Sequence, residues 1–228
     1  QMDGSILTIA DFKEFINLNE VRLTGEREIA DLEVLAEIPG LTYLTLNECD
    51  IGNDDLNMIS KLTALTSLSV DANVFTDLAP LSALTNLTYL SVSDNGLRDV
   101  EGLSALTKLK TLVAADNQII DPQGVAGIAS VSVLDLSGNQ LSSIVNLAPL
   151  TRLTDLNLSG NRISSLDGMS AFASLRTLDL SANSLTDIEP LSALRNLDVL
   201  DLSRNRIKDY TPLSQTKLTS LKATHNSI

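Results

Sequence analysis

The sequence predicts an α/β fold: a right-handed solenoid of ten rungs, with a parallel β-sheet on its concave face and short helical, 3-10 or extended segments on its convex face. Two observations predict it. Leucine supplies 43 of the 228 residues and tryptophan is absent, and so much leucine would specify a single globular core poorly. Seven asparagines, from Asn73 to Asn205, recur at six consecutive intervals of 22 residues. A fixed interval of this length is typical of repeat architectures.

Each of these asparagines closes the same nine-residue frame, LxxLxLxxN, in which L is apolar and x is any residue. One regular copy runs from Leu153 to Asn161. Looser copies begin at Leu18, Leu41 and Leu218, where the intervals between closing residues are 23, 24 and 21. The frame therefore predicts ten rungs in all.

The frame has the two-residue period of a short strand. Because side chains alternate along a strand, the fourth and sixth positions point into the core, and the third and fifth point outward. Successive rungs then pair as a parallel sheet. The closing asparagine carries both an acceptor and donors, so it can satisfy turn backbone groups in its own and a neighbouring rung. We therefore expect an asparagine ladder along the solenoid.

The second half of each repeat predicts the convex wall. Residues 77–85 and 187–194 share the pattern D-I/L-x-P-L-x-x-L, and proline suits a segment that does not continue a ladder, because it has no N–H. Aspartate recurs where these segments begin, and we expect it to cap their turns. The capping residues are Asp77, Asp99, Asp121, Asp187 and Asp209.

One repeat departs from this rule. Two extra residues lie between Cys49 and Asn73, around residues 52–57. They predict that one convex segment becomes a true helical turn or two. Cys49 itself stands in the asparagine position, and we expect it to be a buried structural thiol and not a reactive one.

The two ends predict the domain organisation. Residues 1–17 form a short N-terminal cap helix, because residues 8–11 match a capping box ahead of Phe12, and residues 18–228 form the solenoid. The chain stops at Ile228 inside a repeat, without the polar cap that solenoids need. We expect it to be a fragment of a longer protein, or to have its last rung covered by something else.

These motifs resemble the leucine-rich repeat family over roughly residues 18–228. The 22-residue interval and the D-I-x-P-L-x-x-L segment most resemble bacterial internalin-type repeats, and they are also similar to the class that includes a nuclear regulatory subunit of a protein phosphatase. The resemblance to internalins implies an exported bacterial surface protein that binds a protein of a host or neighbouring cell. It identifies no ligand.

Composition excludes several classes of function. The formal charge is −13 and no basic run occurs, which argues against a surface for nucleic-acid phosphates or anionic lipids. The single cysteine forbids an intrachain disulfide, and the single histidine leaves no Cys/His zinc set. No apolar stretch reaches the length of about 18 residues that a membrane-spanning helix needs.

No catalytic signature is present among the motifs for phosphate loops, dinucleotide sites, zinc proteases or serine hydrolases. The one conceivable triad joins His225 to Ser203, one rung away, and to Asp201. The open strand face of a solenoid offers no pocket that excludes water. We therefore expect no enzyme, no cofactor and no metal site.

Function should lie on the strand face, which we define as the outward side chains at the third and fifth positions, stacked about 4.8 Å apart from rung to rung. The third-position column is Glu20, Tyr43, Ser67, Tyr89, Thr111, Val133, Asp155, Thr177, Val199 and Ser220. The fifth-position column is Arg22, Thr45, Ser69, Ser91, Val113, Asp135, Asn157, Asp179, Asp201 and Lys222.

Carboxylates gather on rungs six to nine of this face. This acidic patch consists of Asp135, Asp155, Asp179, Asp198 and Asp201. One interpretation is that the charges only keep the solenoid soluble and discourage edge pairing. The other is a site for a basic ligand, because aligned like charges repel until a cation or basic partner arrives. Calcium is a third interpretation, because Asp155, Asn157, Asp179 and Asp201 carry oxygen ligands; it is weaker because they spread over an open surface.

A second candidate lies nearer the N-terminus, where Tyr43 and Tyr89 flank Ser67. Exposed aromatic side chains on a rigid sheet are frequent contact anchors, although two tyrosines about 10 Å apart could be incidental. The candidate ligand-binding residues are Tyr43, Tyr89, Val133, Asp135, Asp155, Asn157, Asp179, Val199 and Asp201.

The sequence therefore predicts a monomeric, non-enzymatic module that binds a protein ligand with a basic surface, and neither binds nucleic acid nor inserts into a membrane. An extracellular or cell-surface location in a bacterium is expected, with the cytoplasm as the alternative. The alternatives in function are an intracellular scaffold or phosphatase-regulator-like subunit, and the recognition arm of a larger enzyme.

Overall fold

A computed structural model of the chain describes residues 7–26 and 29–226. Its main element is one ten-stranded parallel sheet in which every strand pairs with the strand of the next rung. The strands are β2 (Glu20–Thr24), β4 (Tyr43–Asn47), β5 (Ser67–Ser69), β6 (Tyr89–Ser91), β7 (Thr111–Val113), β8 (Val133–Asp135), β9 (Asp155–Asn157), β10 (Thr177–Asp179), β11 (Val199–Asp201) and β12 (Ser220–Lys222). The predicted ten-rung, right-handed solenoid is confirmed.

The N-terminal segment differs in detail from the prediction. Two short strands, β1 (Leu7–Thr8) and β3 (Ile29–Ala30), form a small parallel sheet of their own. The helix that follows is a 3-10 helix over Ala10–Glu14, and its N-cap is Ile9, with no side-chain capping bond. The capping box expected at residues 8–11 is therefore wrong, because residue 8 belongs to the short strand.

The convex wall consists of 3-10 helices and one α-helix. The α-helix, α1, spans Asn53–Ile59 in the repeat with two extra residues, as predicted. The other 3-10 helices of the described residues are Leu32–Glu37, Ala79–Ala83, Leu103–Ala105, Gln123–Val125, Val145–Leu147, Met169–Ala171, Glu189–Ala193 and Thr211–Gln215. Proline lies in the first turn of three of them.

The five recurrent aspartates do cap these turns. Each accepts a hydrogen bond from the backbone N–H two residues later, at 2.8–3.1 Å. At Asp209, the backbone N–H of Thr211 holds the pKa of the carboxyl group below its ordinary value. The prediction of capping is confirmed.

The core lies between the two walls and consists mainly of leucine. Leu90, Leu134 and Leu156, at the fourth position of their rungs, are at most 2% exposed. The seven regular asparagines lie at the rim of this core. Each donates from Nδ2 to a carbonyl of the preceding rung at 2.7–3.1 Å. Across the described residues, no buried side-chain nitrogen or oxygen lacks a hydrogen-bond partner.

The eighth position of the frame has a left-handed backbone in all ten rungs, with φ between 52° and 75°. Only three of these residues are glycine; the full set is Gly25, Glu48, Ala72, Asp94, Asp116, Gly138, Gly160, Ala182, Arg204 and His225. This conformation turns the chain out of the strand, so that the next residue, usually asparagine, points inward. A side chain at such a φ adds strain of about 1–2 kcal/mol.

Cys49 replaces asparagine in the second rung and is 2% exposed. Its Sγ lies 3.2 Å from the carbonyl of Asn47 and 3.6 Å from that of Leu23 in the first rung. Burial raises the pKa of this thiol. The expectation of a buried structural cysteine is confirmed.

Candidate protein-binding face

The strand face has the register that the sequence predicts. Tyr43, Ser67 and Tyr89 are direct neighbours in the third-position column. Asp179 and Asp201 are direct neighbours in the fifth-position column. Because the pairing keeps this register from β2 to β12, the structure brings the candidate residues together in two columns.

Four polar residues of the fifth-position column share one local interaction, in which the side chain accepts a hydrogen bond from the backbone N–H two residues later. Asp179 and Asp201 each accept a hydrogen bond through Oδ1 from the backbone N–H two residues later, at 2.8 and 2.9 Å. Asn157 accepts the same bond from Ser159, at 3.1 Å. One oxygen of each side chain therefore stabilises the turn that ends its own strand. This structural role was missed in the sequence, although the spacing of Asp or Asn two residues before Ser contains the signal.

Asp135 is the most fully bonded member of the acidic patch. Its Oδ1 accepts from the N–H and the hydroxyl of Ser137, at 2.9 and 2.6 Å, and its Oδ2 accepts from Nδ2 of Asn157 at 3.0 Å. The remaining aspartates bond to hydroxyl groups. Asp155 accepts from Thr154, and Asp198 accepts from Thr219.

The only cation bound to the acidic patch within the described ranges is Lys222, whose Nζ lies 3.5 Å from Oδ2 of Asp201. The lysine side chain is 72% exposed and that of the aspartate is 17% exposed. A pair in which one partner is this exposed is screened by solvent and contributes little to stability. Negative charge on rungs six to eight is therefore left without a neutralising partner in this part of the chain.

Apolar side chains accompany the acidic patch. Val133 is half-buried beside Asp155 in the third-position column, and Val199 is 38% exposed at the C-terminal end of the patch. A face that mixes small apolar side chains with carboxylates is suited to a protein surface, since contact combines apolar burial with charge complementarity.

A groove of about 430 Å³ lies on the strand face at rungs one to four, and we call it the tyrosine groove. Tyr43 and Tyr89, 51% and 38% exposed, stand on either side of the smaller Ser67. Asp71 also lines this groove, and its carboxylate accepts hydrogen bonds from Ser69, Ser91 and Ser93. The two columns of the frame predicted the tyrosines but not Asp71, which lies at the seventh position of the frame, outside the columns.

The conceivable triad does not assemble. Ser203 Oγ accepts a hydrogen bond from the hydroxyl of Thr224 at 3.2 Å, and within the described ranges no hydrogen bond joins it to His225. His225 is exposed and has a left-handed backbone. In the same ranges, no group of three or more His, Cys, Asp or Glu side chains is arranged to hold a metal ion.

Charge is distributed unevenly along the solenoid. Residues 1–97 contain 16 acidic and 4 basic residues, whereas residues 98–228 contain 13 and 12, so the formal charges of the two parts are −12 and −1. The negative field of the molecule is therefore concentrated at the end that carries the tyrosine groove. The formal charge of the whole chain, −13, conceals this difference between its two parts.

Comparison with known proteins agrees with this architecture. The profile of the family described as leucine rich repeats (2 copies) matches residues 85–126, 130–171 and 173–215, which is more than half of the chain. The chain belongs to the leucine-rich repeat family.

Among solved structures, this leucine-rich repeat protein is similar to internalins of Listeria monocytogenes. It is 32% identical to the internalin InlF, with a TM-score of 0.86 over 95% of this chain and 64% of that chain. It is also 32% identical to internalin C2, with a TM-score of 0.73 over 86% of this chain and 85% of that chain. The expected internalin-like class is confirmed. The chain spans less than two thirds of the InlF chain.

A third similar structure is the functional domain of InlJ from Listeria monocytogenes, which includes a cysteine ladder. This leucine-rich repeat protein is 25% identical to it, with a TM-score of 0.73 over 96% of this chain and 51% of that chain. No curated protein matches the sequence significantly. None of the helices in the described ranges is long and apolar enough to cross a bilayer.

Proposed function

We propose that this chain is a non-enzymatic recognition module of a bacterial surface or secreted protein, and that it binds a protein ligand on its strand face. The observation that carries the proposal is the exact register of the two outward columns across ten strands. Such a surface is rigid before the ligand arrives, so binding orders few additional groups. The similarity to internalins supports the bacterial setting.

The proposed contact region lies between Val133 and Asp201 on rungs six to nine. Carboxylates of the acidic patch attract a basic surface of the ligand, while Val133 and Val199 supply apolar contact. Asp179 is partly exposed; one of its oxygens is bonded to its own turn, and within the described ranges the other accepts no hydrogen bond. Charges of this kind act mainly on the association rate.

The test needs a substitution that removes charge without removing the turn interaction. Asparagine meets this requirement, because Asn157 already fills the same role in its rung. We therefore propose the double variant Asp179→Asn and Asp201→Asn. A charge-matched control on the convex wall combines Asp167→Asn and Glu189→Gln, at two exposed positions.

A ligand is first retrieved from bacterial or host-cell surface proteins by cross-linking, and its association with each variant is then followed by surface plasmon resonance over a range of salt concentrations. The wild-type association rate should fall as salt rises, because charges beyond about 8 Å are screened at physiological ionic strength. The double variant should show a slower rate and a flatter salt dependence, and the control should behave as wild type. Unchanged kinetics in the double variant would limit the acidic patch to a role in solubility.

A further inference from the structure

The tyrosine groove offers two partly exposed rings, Tyr43 and Tyr89, that stack on no other aromatic ring of the described chain. Within the described ranges, the only contact between aromatic rings is that of Phe12 with Phe15 at 6.3 Å. Tyr43 and Tyr89 are therefore not stacked on other rings. Aromatic surface left exposed on a rigid sheet is available to a ligand.

The spacing of the two rings suits one inserted planar group. Tyr43 and Tyr89 lie two strands apart, with Ser67 between them, so their backbones are separated by about 9.6 Å. A planar group between two rings needs two contact layers of about 3.5–4 Å each, and a modest tilt of the rings supplies the difference. Two inserted groups would need three such layers and would not fit.

The negative charge of the groove favours a cationic group as the one inserted between the two rings. The carboxylate of Asp71 is held by Ser69 at 2.9 Å, by Ser91 at 2.7 Å and by the backbone of Ser93 at 2.7 Å. No Lys, Arg or His of the described ranges lies within ion-pair distance of it. The basic residue of the groove, Arg22, is already paired with Glu20.

Acceptor capacity also remains at the base of the groove. The hydroxyl of Ser69 lies 2.9 Å from both Asp71 Oδ2 and Asn47 Oδ1, but it has only one hydrogen to donate. One of the two oxygens therefore keeps a lone pair for an external donor. The base of the groove thus combines a fixed negative charge with an open acceptor.

We propose that the tyrosine groove binds an arginine side chain of the protein partner, with its guanidinium group between Tyr43 and Tyr89 and with Asp71 supplying the compensating charge. The planar, weakly hydrated guanidinium stacks on aromatic faces, whereas the ammonium of lysine is compact and strongly hydrated. The formal charge of −12 over residues 1–97 favours approach of a basic partner to this end. The inference rests on the proposed function, since it names the chemistry of one contact on the same face.

The groove can be tested without the natural partner. The probe is the peptide acetyl-Gly-Arg-Gly-amide, titrated into the chain labelled on its tyrosine rings and followed by NMR. The chain has three tyrosines, and Tyr210, half-buried at the start of the last 3-10 helix, serves as an internal reference. Saturable shifts are expected at Tyr43 and Tyr89 and not at Tyr210.

Matched peptides and variants identify the cause of those shifts. The citrulline peptide, which has the same shape without the charge, should bind on the order of tenfold more weakly, equivalent to about 1.4 kcal/mol, and the lysine peptide should also bind more weakly than the arginine peptide. Asp71→Asn and Tyr43→Leu should each weaken arginine binding severalfold, whereas Asp179→Asn, an acid at the other end of the face, should not.

Two results would overturn the proposal: equal binding of the arginine and citrulline peptides, or no saturable shift of either groove tyrosine up to the solubility of the peptide. Neither result would affect the proposed contact region on rungs six to nine, which is tested with the protein ligand. Conversely, if the variants on rungs six to nine left binding of the protein ligand unchanged, a positive titration with the arginine peptide would still stand. The two failures are therefore distinguishable.

Discussion

The side-chain oxygen of Asn161 accepts a hydrogen bond from the backbone N–H of Leu141, which lies in the preceding rung, at 3.0 Å. Its amide donates to the carbonyl of Leu136, also in the preceding rung, at 2.9 Å, and to the carbonyls of Leu158 and Ser159 in its own rung. One buried side chain thus hydrogen-bonds to four backbone groups in two neighbouring rungs.

Removal of this side chain should leave backbone groups unpaired. We expect Asn161→Ala to lower the free energy of unfolding by about 1–3 kcal/mol, because buried donors and acceptors lose their partners. Urea unfolding followed by circular dichroism measures the change. Asn196→Ala is the control, because this exposed side chain donates one hydrogen bond to Ala173; an equal loss in both variants would contradict a special role of the ladder position.

The left-handed backbone at the eighth position predicts that replacing alanine by glycine there stabilises the protein, which is opposite to the usual effect of this substitution. Ala182 has a φ of 53°, so Ala182→Gly relieves strain of about 1–2 kcal/mol against a loss of about 0.5–1 kcal/mol in chain entropy. The two terms together give an expected gain in stability of about 0–1.5 kcal/mol. Thermal unfolding gives the sign directly.

Two substitutions serve as controls for that sign. Ala148 has an ordinary φ of −53°, and Ala148→Gly should destabilise. Gly160→Ala should also destabilise, because the φ of Gly160 is 66°. A steric clash would not be the cause, since the added Cβ would lie 3.4 Å from its nearest neighbour. Destabilisation by Ala182→Gly would contradict the expectation that alanine is strained at this position.

Stability should fall toward the last rung. Leu156 and Leu221 occupy the same frame position, but they are 2% and 45% exposed. Leu156→Ala should lower the free energy of unfolding by about 2–5 kcal/mol, and Leu221→Ala should have a much smaller effect. Hydrogen exchange should be faster in β12 than in β9, because the outer rung has one neighbour; uniformly slow exchange would show that this end is protected.

The buried thiol predicts a pH dependence. Burial raises the pKa of Cys49, so the native state favours the neutral thiol. This contribution to stability is fully present below the pKa of the unfolded chain, about 8.5, and is lost as the pH rises through the higher native pKa. Unfolding of wild type and Cys49→Ala, compared across that range, should show the wild type losing more stability at alkaline pH. Parallel curves would contradict it.

The rungs could be predicted from the sequence because each repeat places apolar residues at the same inward-pointing positions. The interval from Asn73 to Asn205 predicted the register of the sheet, and the two extra residues after Cys49 predicted α1. The small sheet of β1 and β3 was not predicted, because two-residue strands have no periodicity. The left-handed positions were missed for a similar reason, since most of them are not glycine and residue type gives no signal.

Prediction of the candidate site was less complete. The columns followed directly from the two-residue period of the strands, and the structure keeps Asp179 and Asp201 side by side as expected. The hydrogen bonds that hold these carboxylates depend on the turn that follows, where the frame alone specifies no geometry. Asp71 was missed because its side chain returns to the strand face from the turn. Whether these residues bind a ligand stays a prediction.

The hydrogen bonds between neighbouring rungs also determine how the molecule would respond to a pulling force. Each inner rung is held by the rungs on either side, whereas the outermost described strands of the sheet, β2 and β12, have a neighbour on one side only. Tension applied across these rungs would peel them away in sequence from the outermost strands. Each released repeat of 22 residues would lengthen the chain by about 70 Å, its extended length less the spacing of one strand, so the solenoid would extend stepwise and remain partly folded under load.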